Sequence, residues 1–168
     1  MTILQDAIRS ARAQHKRVLI VYGGEWCIWC HVLDNYFHGK FRSFDYEWRI
    51  SDGDIQTWSM REQISPADIK DARALNRYVA NNFVIAHIEN AYANGDEAVA
   101  LTGFDPKDIY YYPFIVALDS KGKYAGHMVS TDAIKGFEIR RSGGEEFRGY
   151  DRRILLTQLI KLKAQASR

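Results

Sequence analysis

The chain has 168 residues, 46% of them apolar and 26% charged, and this places it with ordinary globular proteins rather than disordered or collagenous ones. The longest apolar run, Val18 to Tyr22, is far too short to cross a bilayer, so no membrane span is expected. With a net charge of only +2 and basic residues scattered among acidic ones, the chain lacks the electrostatic footprint of a nucleic-acid binder.

Ile3, Leu4, Ala7, Ile8 and Ala11 recur at helical spacing behind Thr2, an N-cap, and predict an amphipathic helix over 3–15. This opening segment, MTILQDAIRSARAQHKR, has no basic start followed by an apolar core. As given, the chain reads as cytoplasmic; removal of a leader segment would make it periplasmic or secreted. Arg17 to Tyr22 is continuously apolar after its first residue, the pattern of a central strand covered on both faces, and Gly23-Gly24 breaks it.

Residues 28–38 contain no glycine or proline, and Ile28, Val32, Leu33, Tyr36 and Phe37 define a helical face that ends at Gly39. Residues 40–65 carry Phe41, Phe44, Tyr46, Trp48, Trp58 and Met60 with weak periodicity. They read as an insertion that folds over the domain near the preceding helix, with its aromatics in a small satellite core. Ser65-Pro66 then starts a helix running to about residue 80, and Phe83 to Ile88 is a strand. Residues 90–112 read as loop with one short helix around Glu97 to Leu101. Asp119-Ser120-Lys121-Gly122 joins strands Phe114 to Leu118 and Lys123 to Val129 into an antiparallel hairpin. Gly136 to Gly149 reads as a polar loop. Asp151 caps a last helix that turns Ile154, Leu155, Leu159, Ile160 and Leu162 inward. The whole, 1–168, reads as a single domain.

The two cysteines, Cys27 and Cys30, cannot build a disulfide framework, and so small a loop gains little from a bridge. Their purpose is chemical. Glu25-Trp26-Cys27-Ile28-Trp29-Cys30 lies where a buried strand ends and a helix begins. Unpaired backbone N–H groups and the positive end of the helix dipole stabilise a thiolate at that point. Cys27 is therefore the expected nucleophile. Cys30, one turn further along the same face, is placed to resolve the mixed disulfide that Cys27 would form.

Val18 to Phe37, VLIVYGGEWCIWCHVLDNYF, resembles the active-site strand and helix of the thioredoxin superfamily, within it the thioredoxin-like proteins with a WCxWC centre. Tyr112-Pro113-Phe114 resembles the position of that superfamily's cis-proline. The resemblance spans most of the chain except roughly 40–65. It implies an α/β thioredoxin-like fold, a central mixed sheet flanked by helices with an insertion after the active-site helix. It further implies a thiol–disulfide oxidoreductase with Cys27 and Cys30 catalytic, Trp26 beside the substrate, Pro113 facing the cysteines, and the Tyr112 backbone pairing with an extended substrate; Trp29 reads equally as a substrate contact or as core packing. The partners would be a protein or small-molecule disulfide or dithiol and a separate redox partner. No cofactor and no metal are expected.

Two departures stand out. Where thioredoxin has a buried aspartate six residues ahead of its first cysteine, this chain has Val21, and Ile28-Trp29 stands between the cysteines in place of Gly-Pro. The direction of electron flow is therefore open. Three other readings share these residues. Cys27 to His31 also spells the CxxCH of haem attachment, with His31 as axial ligand. Cys27, Cys30, His31 and His38 have the ligand types of a zinc site. A redox-inactive binding module is the third. In the main reading His31 is a surface residue, Glu25, Asp34 and Lys40 are solvated charges, and His15, His87 and His127 are structural or solvated.

Overall fold

The computed structural model describes all residues except 1, 42, 50–52, 62, 63, 93, 136, 140–144 and 148, and describes only the backbone of 137–139 and 145–147. Helix α1 is Ile3–Ala13, capped by a reciprocal pair of hydrogen bonds between Thr2 and Gln5. Strand β1, Arg17–Gly23, leads through Gly24, Glu25 and Trp26 to helix α2, Ile28–Phe37. Strands β2, Phe44–Arg49, and β3, Ile55–Met60, follow, then helix α3, Pro66–Asn82, whose Ser65 cap exchanges hydrogen bonds with Asp68. After strand β4, Phe83–Glu89, come the short helix α4, Gly95–Ala100, and strands β5, Phe114–Leu118, and β6, Tyr124–Met128. Strands β7, Phe137–Ile139, and β8, Glu145–Phe147, precede helix α5, Arg152–Gln165.

The main sheet runs β4-β1-β5-β6, with β1 parallel to β4 and antiparallel to β5, and β6 antiparallel to β5. This is a central mixed sheet flanked by helices, the arrangement that the resemblance implied. Side chains alternate across a strand, so the unbroken apolar run of β1 serves two cores. Leu19 and Val21 pack with α2, α3 and α5, whereas Val18, Ile20 and Tyr22 pack with α1. Burial on both faces holds β1 rigid, and its C-terminal end fixes where α2 begins.

Four expectations change. Segment 40–65, expected as an insertion, holds a regular hairpin in which Phe44, Tyr46 and Trp48 take the more buried alternate positions of β2. Its aromatics form no satellite core: Met60 is fully buried in the main core, and Phe44, Tyr46 and Trp58 pack against it. The segment 136–149, expected as loop, supplies β7 and β8, and β8 pairs in parallel with β3 to give a second sheet, β2-β3-β8-β7. On α5 the stripe Leu155, Leu159 and Leu162 is buried, but Ile154 and Ile160 lie off it and are exposed, as is Ile3 on α1.

Candidate active site

Cys27 is the N-cap of α2: its backbone is extended, and its Sγ accepts a hydrogen bond of 3.1 Å from the Cys30 backbone N–H. A cap must have non-helical backbone and an acceptor side chain. A cysteine sulfur fills that role best as a thiolate. In the structure Cys27 and Cys30 are joined by a disulfide with their Cα atoms 5.3 Å apart. Cys27 is 4% exposed, and Cys30 is the more open of the two.

The Tyr112–Pro113 peptide bond is cis. The buried Ser130 hydroxyl donates to the Pro113 carbonyl at 3.1 Å. Gly23 lies against the cysteine pair: a Cβ there would collide with Cys30 Sγ and stand 4.0 Å from Pro113 Cα, at ordinary van der Waals contact. The glycine read as a strand breaker thus leaves room for the Cys30 sulfur. Trp26 meets Tyr112 edge-on, ring centroids 5.3 Å apart, and its indole N–H donates to Asn90 Oδ1 at 3.1 Å. Tyr112 in turn packs against the buried ring of Tyr22. Trp29 is placed elsewhere. It packs edge-on against buried Tyr150 at 4.9 Å, and the Tyr150 hydroxyl donates to its carbonyl, so Trp29 braces α2 against the core instead of joining Trp26.

On the Cys30 side lies a cavity of about 260 Å³, lined by Val21, Gly23 and Cys30 together with His31, Asp34 and His87. Asp34 stands one turn along α2 from Cys30, and its carboxylate is 3.4 Å from His87 Nε2 on β4 and 3.2 Å from His38 Nδ1. Hydrogen bonding from His87, and then the nearby His38, His87 and Lys40 charges, hold its carboxyl below the usual aspartate range against the opposing effect of burial. Asp34 and His87 are therefore partners, not separately solvated residues. The sequence signals were the i,i+4 spacing of Cys30 and Asp34 and a histidine within β4.

His31, expected at the surface, is half-buried: its Nε2 lies 2.9 Å from the Glu25 carbonyl, and its ring packs on Tyr46 of the insertion at 4.1 Å. The Tyr46 hydroxyl donates to the same Glu25 carbonyl. Burial, followed by the Glu25 and Glu89 charges, raises the Tyr46 phenol above its usual range. The residues of the zinc reading do not converge. His31 turns to Glu25 and His38 to Asp34, and among the described residues no three metal-ligating side chains share a point.

No protein-family model matches the chain, and comparison with curated proteins gives no significant match. Among solved structures, the chain is similar to a disulphide isomerase from Xylella fastidiosa Temecula1, with 19% identity and a TM-score of 0.43 over 74% of this chain and 69% of that one.

Proposed function

We propose that the protein is a thiol–disulfide oxidoreductase in which Cys27 attacks a substrate disulfide and Cys30 resolves the product. The observation that carries this reading is the position of Cys27 Sγ as the N-cap acceptor of α2, within bonding reach of Cys30. In the reduced protein the Cys27 thiolate keeps the Cys30 backbone N–H as its partner at the helix N-terminus, which favours ionisation. It attacks one sulfur of a disulfide R–S–S–R′, forming Cys27–S–S–R and releasing R′–S⁻. Cys30, as thiolate, then attacks Cys27 Sγ, and R–S⁻ leaves with the electron pair. The substrate gains two electrons, and the Cys27–Cys30 disulfide awaits a dithiol donor.

Trp26, Tyr112 and Pro113 form the docking side of the site. Aromatic faces there would cover the apolar part of an extended substrate, and the Tyr112 backbone would pair with it. Trp29 acts by packing. A second reading, with Cys30 as the attacking thiol, is favoured by the greater exposure of Cys30. Alkylation of the reduced protein across a pH series separates the two. One thiol should titrate below the free-cysteine value of about 8.5, persist in Cys30→Ser and vanish in Cys27→Ser. The opposite pattern reverses the roles. If neither thiol is shifted and disulfide reduction by dithiothreitol is no faster with the protein present, the binding-module reading replaces the enzyme.

A further inference from the structure

Resolution requires the Cys30 thiol to lose its proton, and the position from which a buried acid could take it is held by Val21. Valine has no acceptor. Val21 is 4% exposed and lines the same cavity as Cys30, so the side of Cys30 turned to the sheet is apolar there. A different set of groups opens on this cavity. From the registry partner of Val21 on β4 comes His87, and from one turn along α2 comes Asp34.

We infer that His87, held by Asp34, is the proton acceptor for Cys30, acting through water in the cavity that the three residues share. This rests on the thiol–disulfide reading above. His87 Nε2 lies 3.4 Å from Asp34 Oδ1, and with the Nε2 proton turned to that carboxylate Nδ1 is the basic nitrogen. A space of about 260 Å³ accommodates several waters, each occupying roughly 30 Å³ of liquid volume. The carboxylate beside His87 stabilises the imidazolium that forms, the division of labour expected when a base is oriented by a third group.

The other charged groups that face this space are less suited. Asp34 itself is held ionised by His87, His38 and Lys40, and so is a weak base. Glu89 accepts a hydrogen bond of 3.2 Å from the Glu25 backbone N–H. Glu25 itself is exposed at the rim, and His31 is engaged by the Glu25 carbonyl and by the Tyr46 ring. The proton balance closes. Cys30–SH yields its proton to His87 Nδ1 through water, the thiolate displaces R–S⁻ from Cys27, and the leaving thiolate recovers a proton from the imidazolium or from solvent.

The test is stopped-flow reaction of the fully reduced protein with a chromogenic aromatic disulfide, which releases one coloured thiol on attack and a second on resolution. The first phase depends on reagent concentration and the second does not. His87→Gln is expected to slow only the second phase, by about tenfold to a hundredfold near neutral pH. The rate should recover above the ordinary cysteine range as Cys30 ionises unaided. Asp34→Asn should slow the same phase less and shift its pH midpoint, while His38→Gln, which touches Asp34 from outside the cavity, should leave it within about twofold. An unchanged second phase in His87→Gln, or a loss found only in His31→Gln, overturns the assignment while leaving the oxidoreductase intact. If His87→Gln slows the first phase instead, Cys30 is the attacking thiol and the roles proposed here are wrong. Absence of a second phase in the unmodified protein overturns both readings together.

Discussion

The two sulfurs lie three residues apart on one helix turn, yet they face different surroundings. Beside Cys27 are the Cys30 backbone N–H that its sulfur accepts from and its chain neighbour Trp26, whose ring packs on Tyr112 next to the buried Pro113. Around Cys30 lies a cavity carrying an aspartate–histidine pair and further ionisable groups. The difference teaches how a CxxC pair can divide its work. In the function proposed above, one side would present apolar rings and a fixed dipole to a docked chain, and the other would accept and return a proton. β1 makes the division possible, because its rigid end places Gly23 between the two sides with no side chain of its own.

The largest effect is expected from breaking that boundary. Gly23→Ala puts a methyl group where Cys30 Sγ lies and beside Pro113, in a neighbourhood with buried backbone on both flanks. Overpacking of this kind typically costs about 1–3 kcal/mol. The variant should therefore lose stability in urea unfolding, and the rate of the resolving phase should fall by about tenfold or more, equivalent to about 1.4 kcal/mol of barrier. Should the variant keep both wild-type stability and wild-type resolution, the Cys30 sulfur does not depend on the space that Gly23 leaves.

A smaller and more selective effect is expected from Trp26→Ala. The indole contacts Tyr112 and Asn90 and takes no part in the bond exchange, so small aromatic disulfides should react within about twofold of wild type. Peptide disulfides should show KM raised by roughly threefold to tenfold, the loss of about 1 kcal/mol that one aromatic contact supplies. Trp29→Ala should do the reverse. It removes the packing against Tyr150 and should lower stability by about 3 kcal/mol, with little selectivity between substrates. Equal effects on peptide and small substrates in Trp26→Ala would show that the aromatic side of the pair does not dock substrate.

Why part of this arrangement was legible in the sequence, and part not, follows from the range of the interactions. The strand–cysteine–helix unit is local: an apolar run, a glycine break and a period of 3.6 occupy one stretch of chain, so β1 and α2 could be placed from residues 17–38 alone. The second sheet is non-local. The alternation of Phe44, Tyr46 and Trp48 with charged neighbours was a strand signal, but β7 and β8 have three residues each, too few for a period to register, and only β8 pairs with β3, across more than eighty residues, while β7 pairs with β8. Asp34 and His87 belong to the same class. Each alone is an unremarkable polar residue, and only the parallel register of β1 with β4 brings His87 beside the cavity that Cys30 lines.

The smallest expected effect concerns the stability that the charged side contributes. In the folded protein the Asp34 carboxyl ionises below the ordinary aspartate value of 3.8, first because of the His87 hydrogen bond. A group whose folded value is depressed stabilises the fold above its unfolded value, and that contribution disappears as pH falls through the folded one. Wild type should accordingly exceed Asp34→Asn in stability above the ordinary aspartate range, where the Asp34 carboxyl is ionised in both states. The gap should close progressively below pH 3.8 as the carboxyl is protonated in both states. With the Asp34 side chain 36% exposed and the histidines more than half exposed, solvent screening keeps the difference under about 1 kcal/mol. Urea midpoints of the two proteins across a pH series measure it, and added salt should shrink it further. A difference that stays constant from acid to neutral pH would mean that Asp34 contributes by packing, and the electrostatic contrast between the two sides of the cysteine pair would lose its thermodynamic basis.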